Sequence, residues 1–338
     1  MATVSVRDVA HLAGVSVGTV SNVMNHPEKV SESAVERVHD AITKLGFIRN
    51  DAARQLRAGR SKTIGLVVLD VRNPFFTDIA RGAEDQAAQA GLALTLGNSD
   101  ESVDRETAYL DLFEEQRVHG ILISPFGDIT ERLAALRSRG IPAVLVDRSS
   151  GDQSYSSVSV DDVAGGRMAT AHLLDSGRRR IAFVGGPLEI RQVSDRAHGA
   201  QEAVAAVEGA SLEIITTDGL SVIAGRTVGS DILARRPEDR PEAIFAANDL
   251  VAMGVLQALM LRGNGLNVPS DIAIIGYDDI DFASAAVVPL SSVRQPSALI
   301  GKTAVEILLE EAADPQIERR QIVFQPQLIV RESTSALD

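Results

Sequence analysis

The side chains best able to do chemistry crowd into one short stretch, VRDVAHLAGVSVGTVSNVMN (residues 6–25), where hydroxyls and amides alternate with valines. Val17, Gly18 and Asn22 fall at i, i+1 and i+5 of a helix that begins after Ser16, so they share one face. If this is the second helix of a helix-turn-helix, that face turns toward base edges in a major groove. Ser16, Thr19 and Ser21 carry hydroxyls that can donate to phosphates, contacts that fix register rather than read sequence. Asn25, at the end of the same helix, is grouped with them as a DNA-facing residue.

Other chemistries fail at the same level. Gly14-Val15-Ser16-Val17-Gly18 fits the hydrolase pattern GxSxG, but that serine must stand on a strand-to-helix turn above a sheet. Here it lies between two short helices. Neither GxGxxG nor GxxxxGK occurs, and His11, His26, His39, His119, His172 and His198 are scattered without an HExxH pair. No catalytic residue, cofactor or metal is therefore expected. The chain has no cysteine, which excludes a disulfide framework and a thiol nucleophile and suits a reducing compartment. No signal-peptide-like or membrane-spanning apolar stretch is present, so a soluble, cytoplasmic protein is expected.

The formal charge of −13 over 338 residues argues against a polyanionic partner until it is divided along the chain. Residues 1–62 carry nine Lys/Arg against six Asp/Glu, while the remainder carries 24 against 40. A basic head on an acidic body leaves only the head suited to nucleic acid.

The elements that must position these residues follow from periodicity. Arg7–Ala13 is a helix with Val9, Leu12 and Ala13 on one face, ended by Gly14; Ser16 caps a second helix, 17–25. Ser31 caps a third, with Val35, Val38, Ile42 and Leu45 as its buried stripe. From Thr63 strand and helix alternate. Apolar strands at 63–70, 92–96, 120–124 and 142–147 are separated by helices at 75–90, 101–117 and 130–139. A second series has strands at 180–185, 212–216, 243–247 and 271–278 among helices at 161–176, 194–207, 221–235 and 249–262. The fold class expected is α/β: an all-helical head, a hinge helix, then two doubly wound parallel-sheet lobes with a cleft beyond their strand ends.

In order and spacing the chain resembles, nearly end to end, the lactose-repressor/galactose-repressor family of bacterial transcription regulators. The resemblance rests on DVAxxAGVSxxTVSxVxN at Asp8–Asn25, Gly46-Phe47-Ile48 and Asn50, AAxxL at Ala52–Leu56, and NPFF at Asn73–Phe76. It continues through Ala247-Asn248-Asp249, Ile275-Gly276-Tyr277-Asp278-Asp279 and Gln295-Pro296. Many members have arginine where this chain has Asn22, which points to adenine or a weaker contact rather than guanine.

The resemblance implies a repressor that binds a palindromic operator (an inverted repeat) as a homodimer, under allosteric control by a small ligand. It places the head at 1–49 and a hinge helix and linker at 50–62. The lobes are then 63–160 plus 290–321, and 161–289 plus 322–338, in a body similar to periplasmic sugar-binding proteins. Asn50 and Arg54 join the DNA contacts, and Leu56 occupies the position of a wedge into a minor-groove step. Arg54 and Arg57 read equally well as phosphate anchors or linker charges. The effector-binding set is Asn73, Phe75, Phe76, Asp147, Arg148, Arg196, Leu220, Asn248, Asp278 and Gln295, a pattern similar to ribose-type binders. Leu220 stands where a stacking aromatic is common. The expected effector is a sugar, with a pentose such as ribose the first candidate; the alternative is a purine- or other metabolite-responsive corepressor system. A transport-type binding protein would need a signal peptide and no DNA-reading head. The chain's last residues carry no leucine heptad, so no tetramerising tail is expected.

Overall fold

The computed structural model describes residues 4–47, 61–151, 153–260 and 266–335, in two units, 1–60 and 61–338. The hinge residues Asn50, Arg54, Leu56 and Arg57 lie outside the described residues.

The first unit is helical: α1 (Val6–Ala13), α2 (Val17–Asn25) and α3 (Glu32–Leu45). Ser5 and Asp8 close a reciprocal capping box at the start of α1, and Gly14 ends it at φ 63°, a left-handed turn that glycine adopts without a Cβ clash. The core is Val9, Ala10, Ala13, Val20, Val23, Val38 and Ala41, with Val35, Ile42 and Leu45 packed against it. Two details differ from expectation. Leu12 is 49% exposed, because the inner face of α1 runs through Ala10 instead. Ser31 stands at the N-cap of α3, but its hydroxyl makes no capping bond.

The second unit holds two six-stranded sheets. Lobe one contains β1 (Thr63–Val68), α4 (Pro74–Gln89), β2 (Ala93–Asn98), α5 (Val103–Glu115), β3 (Gly120–Ile123), α6 (Thr130–Ser138), β4 (Ala143–Val146) and β5 (Ser157–Val160). Lobe two contains α7 (Asp162–Asp175), β6 (Arg180–Val184), α8 (Arg191–Ala205), β7 (Ser211–Ile215), α9 (Val222–Ala234), β8 (Ala243–Ala246), α10 (Asp249–Met260), β9 (Ala273–Asp278), α11 (Asp281–Ser284) and β10 (Ser291–Arg294). The chain then adds α12 (Ser297–Ala313) and β11 (Gln321–Phe324) to lobe one and β12 (Gln327–Ile329) to lobe two. Strand order is β11-β5-β4-β3-β1-β2 in one sheet, all parallel. It is β12-β10-β9-β8-β6-β7 in the other, where only the β10–β12 pairing is antiparallel.

This topology corrects the expected division of the body. Ser291–Arg294 pairs with β9 and so belongs to lobe two, while Gln321–Phe324 pairs with β5 and belongs to lobe one. The second and third crossings each fall one strand later than expected, at Gln295-Pro296 and Gln325-Pro326. Proline has no N–H for the ladder, so each strand stops there.

Helix packing around the cleft depends on close backbone approach. A Cβ at Gly199 would lie 2.0 Å from the Val163 carbonyl, and one at Gly166 would lie 2.1 Å from the Arg196 carbonyl. Only hydrogen fits there. The two glycines draw α8 against α7, which sets Arg196 beside Asp162.

Candidate functional site

On the head, Ser16 accepts a hydrogen bond from the Thr19 backbone N–H at 3.0 Å, satisfying one open donor of α2. The Ser16 and Thr19 hydroxyls are 2.9 Å apart, and Asn25 Nδ2 donates to the Ser21 carbonyl at 2.8 Å. Val20 and Val23 are buried, so Val17 (44% exposed), Gly18 and Asn22 lie outward.

In the body, the strand ends of the two lobes face each other across a narrow cleft lined by residues of both. Asn73 caps α4, its Oδ1 accepting from the Phe75 N–H, and its Nδ2 donates across the cleft to Asp278 Oδ2 at 2.8 Å. Gln295 Nε2 donates to the other oxygen, Asp278 Oδ1, at 2.8 Å, without lining the cleft wall itself. Asp147 lines the opposite part of the wall, and its Oδ2 accepts from Gln192 Nε2 at 2.9 Å. Its other oxygen, Oδ1, is buried without a hydrogen-bond partner. Arg196 donates from Nε to Asp162 at 2.8 Å and from Nη1 to the Ala247 carbonyl at 2.8 Å. Its guanidinium lies 3.7 Å over the Tyr277 ring. Phe75 and Phe76 meet edge to face at 5.0 Å and supply apolar wall, with Leu220 opposite them on lobe two. Asn248 lines the cleft as well; its Oδ1 accepts from the Val251 N–H and its Nδ2 donates to the Leu220 carbonyl.

Arg148 does not line this cleft, which corrects its placement in the effector-binding set. Its Nη1 donates to the Gly127 carbonyl at 2.9 Å, on the side of α6. Asp147 stands at φ 58°, off the extended backbone of β4, and beyond it the Arg148 side chain runs toward Gly127.

Buried charge dominates the electrostatics. Burial raises Asp278 to about 6, against the opposing pull of Arg196 and of the bonds from Asn73 and Gln295. Burial, with Asp162 adding repulsion, pushes Asp147 well above the usual carboxylate range. Arg196 resists its own burial because Asp162 and the other cleft acids hold it charged. The arrangement can accept donors through carboxylates, donate through amides and guanidinium, and cover C–H surface with phenylalanines.

The comparisons agree with both parts. Residues 5–50 match the bacterial regulatory proteins of the lacI family, and residues 170–334 match the periplasmic binding protein-like domain. A relative in Vibrio campbellii, the HTH-type transcriptional repressor PurR, is 34% identical over 336 residues, 99% of each chain. The chain belongs to the lacI family. It is a DNA-binding transcriptional repressor with a periplasmic-binding-protein-like body, and the family is one of regulators rather than enzymes. Among solved structures, a lac repressor dimer bound to operator and an anti-inducer is 27% identical, with TM-score 0.83 over 99% of this chain and 100% of that one. A lacI-family regulator from Enterococcus faecalis with bound ribose is 30% identical, with TM-score 0.72 over 82% of this chain and 100% of that one.

Within this lacI-family body, two residues of the cleft lining, Gln192 and Glu101, and the buried partner of Arg196, Asp162, escaped the reading of the sequence. Gln192 stands four residues before Arg196 on α8, on the same helix face, and that spacing was the available signal. Glu101 follows the end of β2, the place where ligands approach such sheets. Asp162 gave no signal, since it reads as an ordinary first-turn acid of α7.

Proposed function

We propose that this repressor binds an inverted-repeat operator as a homodimer and that a small polyhydroxylated ligand, a sugar of about monosaccharide size, binds the interlobe cleft and controls it. The observation that supports the ligand class is Asp278, buried at a strand end and held from both sides by Asn73 and Gln295. A carboxylate fixed this way presents acceptors in the geometry that a pair of sugar hydroxyls needs. A purine would favour a flat slot between aromatic faces, whereas one wall here is the aliphatic Leu220. A pentose such as ribose remains within this class; purines are the competing class.

On the DNA side, Val17, Gly18 and Asn22 face bases, Ser16, Thr19, Ser21 and Asn25 with Asn50 and Arg54 fix the backbone, and Leu56 wedges the central step. Two heads are needed because one recognition helix covers a half-site. The protein works in the cytoplasm, where its DNA is. Ligand closing the lobes changes the spacing of the paired heads.

Isothermal titration against pentoses, hexoses, their amino derivatives, hypoxanthine and guanine tests the ligand class. Saturable binding confined to the sugars supports it; binding confined to the purines overturns it. Footprinting tests the DNA side: protection of an inverted repeat, weakening steeply as salt rises, is expected because phosphate contacts release counterions.

A further inference from the structure

Two side-chain contacts cross the cleft, and they are counterparts in the topology. Asp147 directly follows β4 and Asp278 ends β9, the third strand in the order of each sheet. Asn73 caps α4, which follows β1, and Gln192 lies in the first turn of α8, which follows β6. β1 and β6 are each fifth in order. Every amide reaches the acid of the other lobe. Asn73 of lobe one donates to Asp278 Oδ2 of lobe two at 2.8 Å. Gln192 Nε2 of lobe two donates to Asp147 Oδ2 of lobe one at 2.9 Å, and to the Asp147 carbonyl as well.

All four side chains are buried, and both acids stand at positive φ, 58° and 102°, a conformation that persists where the surroundings impose it. No other side-chain hydrogen bond or ion pair among the described residues joins the lobes away from the crossing segments. The nearest charges across the gap repel instead, with Arg148 of lobe one in the field of Arg191 of lobe two.

The position of these contacts gives them leverage. The chain crosses between lobes after β5, β10 and β11, toward one edge of the sheets, while β2 and β7 form the opposite edges. Opening about the crossings therefore parts Glu101, which follows β2, from Gly219, which follows β7. In this structure Glu101 Oε2 is 4.0 Å from where a Cβ on Gly219 would stand. The two amide–acid contacts lie between the crossings and that mouth, and neither can persist once the lobes swing apart.

A chance contact gives no reason for donor and acceptor to change places between corresponding positions of two lobes. We propose that Asn73–Asp278 and Gln192–Asp147 form a reciprocal latch, in which amides of the protein itself fasten the closed lobes. A hydrogen bond to a carboxylate that replaces one to water favours the bonded form roughly tenfold. The latch so supplies part of the free energy of closure, and an effector that binds the closed cleft has to supply less. This holds whichever class of ligand binds, and its failure would leave the sugar reading untouched.

The chain has no cysteine, so Glu101→Cys with Gly219→Cys in the full-length protein places one thiol pair per chain across the mouth. The rate at which that pair forms a disulfide under a mild oxidant, without ligand, reads the closed fraction. Asn73→Ser keeps a cap for α4 but is too short to cross, and Gln192→Met keeps the length of the side chain without its donor. Each variant is expected to slow the disulfide, and the two together to slow it about tenfold or more, with alkylation of the single thiols unchanged. An unchanged rate in the combined variant overturns the latch, and a fall carried wholly by one of the two substitutions overturns its reciprocity. Should the combined variant fail to fold, Asn73→Asp with Gln192→Leu cuts the same contacts and gives the same reading.

Discussion

At the scale of single residues, Asp278 is where burial, hydrogen bonding and backbone strain meet. Its φ of 102° is rarely adopted by a residue with a Cβ, and its carboxylate is held by two amides from different elements. Asp278→Ala should reduce ligand affinity roughly ten- to a hundredfold, the loss of a charge-assisted pair worth about 1.5–3 kcal/mol. A variant with a lowered melting temperature but unchanged ligand affinity would remove Asp278 from the site. The raised pKa of about 6 also gives the sign of a pH effect. A folded pKa above the unfolded one favours the protonated native state, so this contribution to stability is full below about pH 4 and is lost as pH rises through about 6. Ligand donors prefer the ionised form, so binding should strengthen from about pH 5 to about pH 7 and release up to one proton through this group. Asp147, Asp162 and Arg196 face the same space, and the first two, also raised by burial, push in the same direction. Titrations in buffers of different ionisation enthalpy would read the proton; a flat affinity profile would contradict the assignment. The positions of Asn73, Asp147 and Asp278 on the cleft, and of Gln295 against Asp278, were legible because their motifs sit at strand ends. Arg148 was not, since a motif does not reveal that the chain leaves extended geometry at Asp147, φ 58°, and carries the next side chain toward Gly127.

At the scale of elements, placement depends on helix ends and helix crossings. Ser16→Ala removes the acceptor for the Thr19 N–H and should cost about 0.5–2 kcal/mol of head stability, seen as loss of helicity on heating. Equal melting of wild type and variant heads would show the cap to be idle. Gly199→Ala forces a methyl against the Val163 carbonyl, so α8 must move away from α7. A cost of about 1–3 kcal/mol in the body is expected, with weaker ligand binding because Arg196 moves with the helix. An unchanged melting temperature would mean the helices separate freely. The alternation of apolar strands with helices made most of these elements visible along the chain. β5, β10, β11 and β12 were missed because serine, arginine or glutamine interrupts each, so none reads as the continuous apolar run that marks the equally short β3, β4 and β8. Sheet membership was hidden for a related reason. SSVR and QIVF look alike as strands, and which sheet accepts them is decided by long-range pairing with β9 and β5.

At the scale of the whole molecule, a small helical unit with a slight positive charge is joined to a large acidic one, and the two carry separate chemistries. That division could be read directly, from the charge asymmetry and from the switch of hydrophobic period near Thr63. The full lining of the cleft could not, because Glu101 and Gln192 come to it from different lobes and meet only when those lobes face each other. The central claim is that the cleft governs the head. The direct measurement is operator affinity, by fluorescence anisotropy on an inverted-repeat duplex, with and without a saturating sugar found by titration, for wild type and Asp278→Ala. The wild-type affinity should change by about fivefold or more on adding the sugar, a coupling of about 1 kcal/mol. Asp278→Ala should bind the operator like ligand-free wild type and fail to respond. A wild-type operator affinity unmoved by a ligand that saturates the cleft would contradict the account.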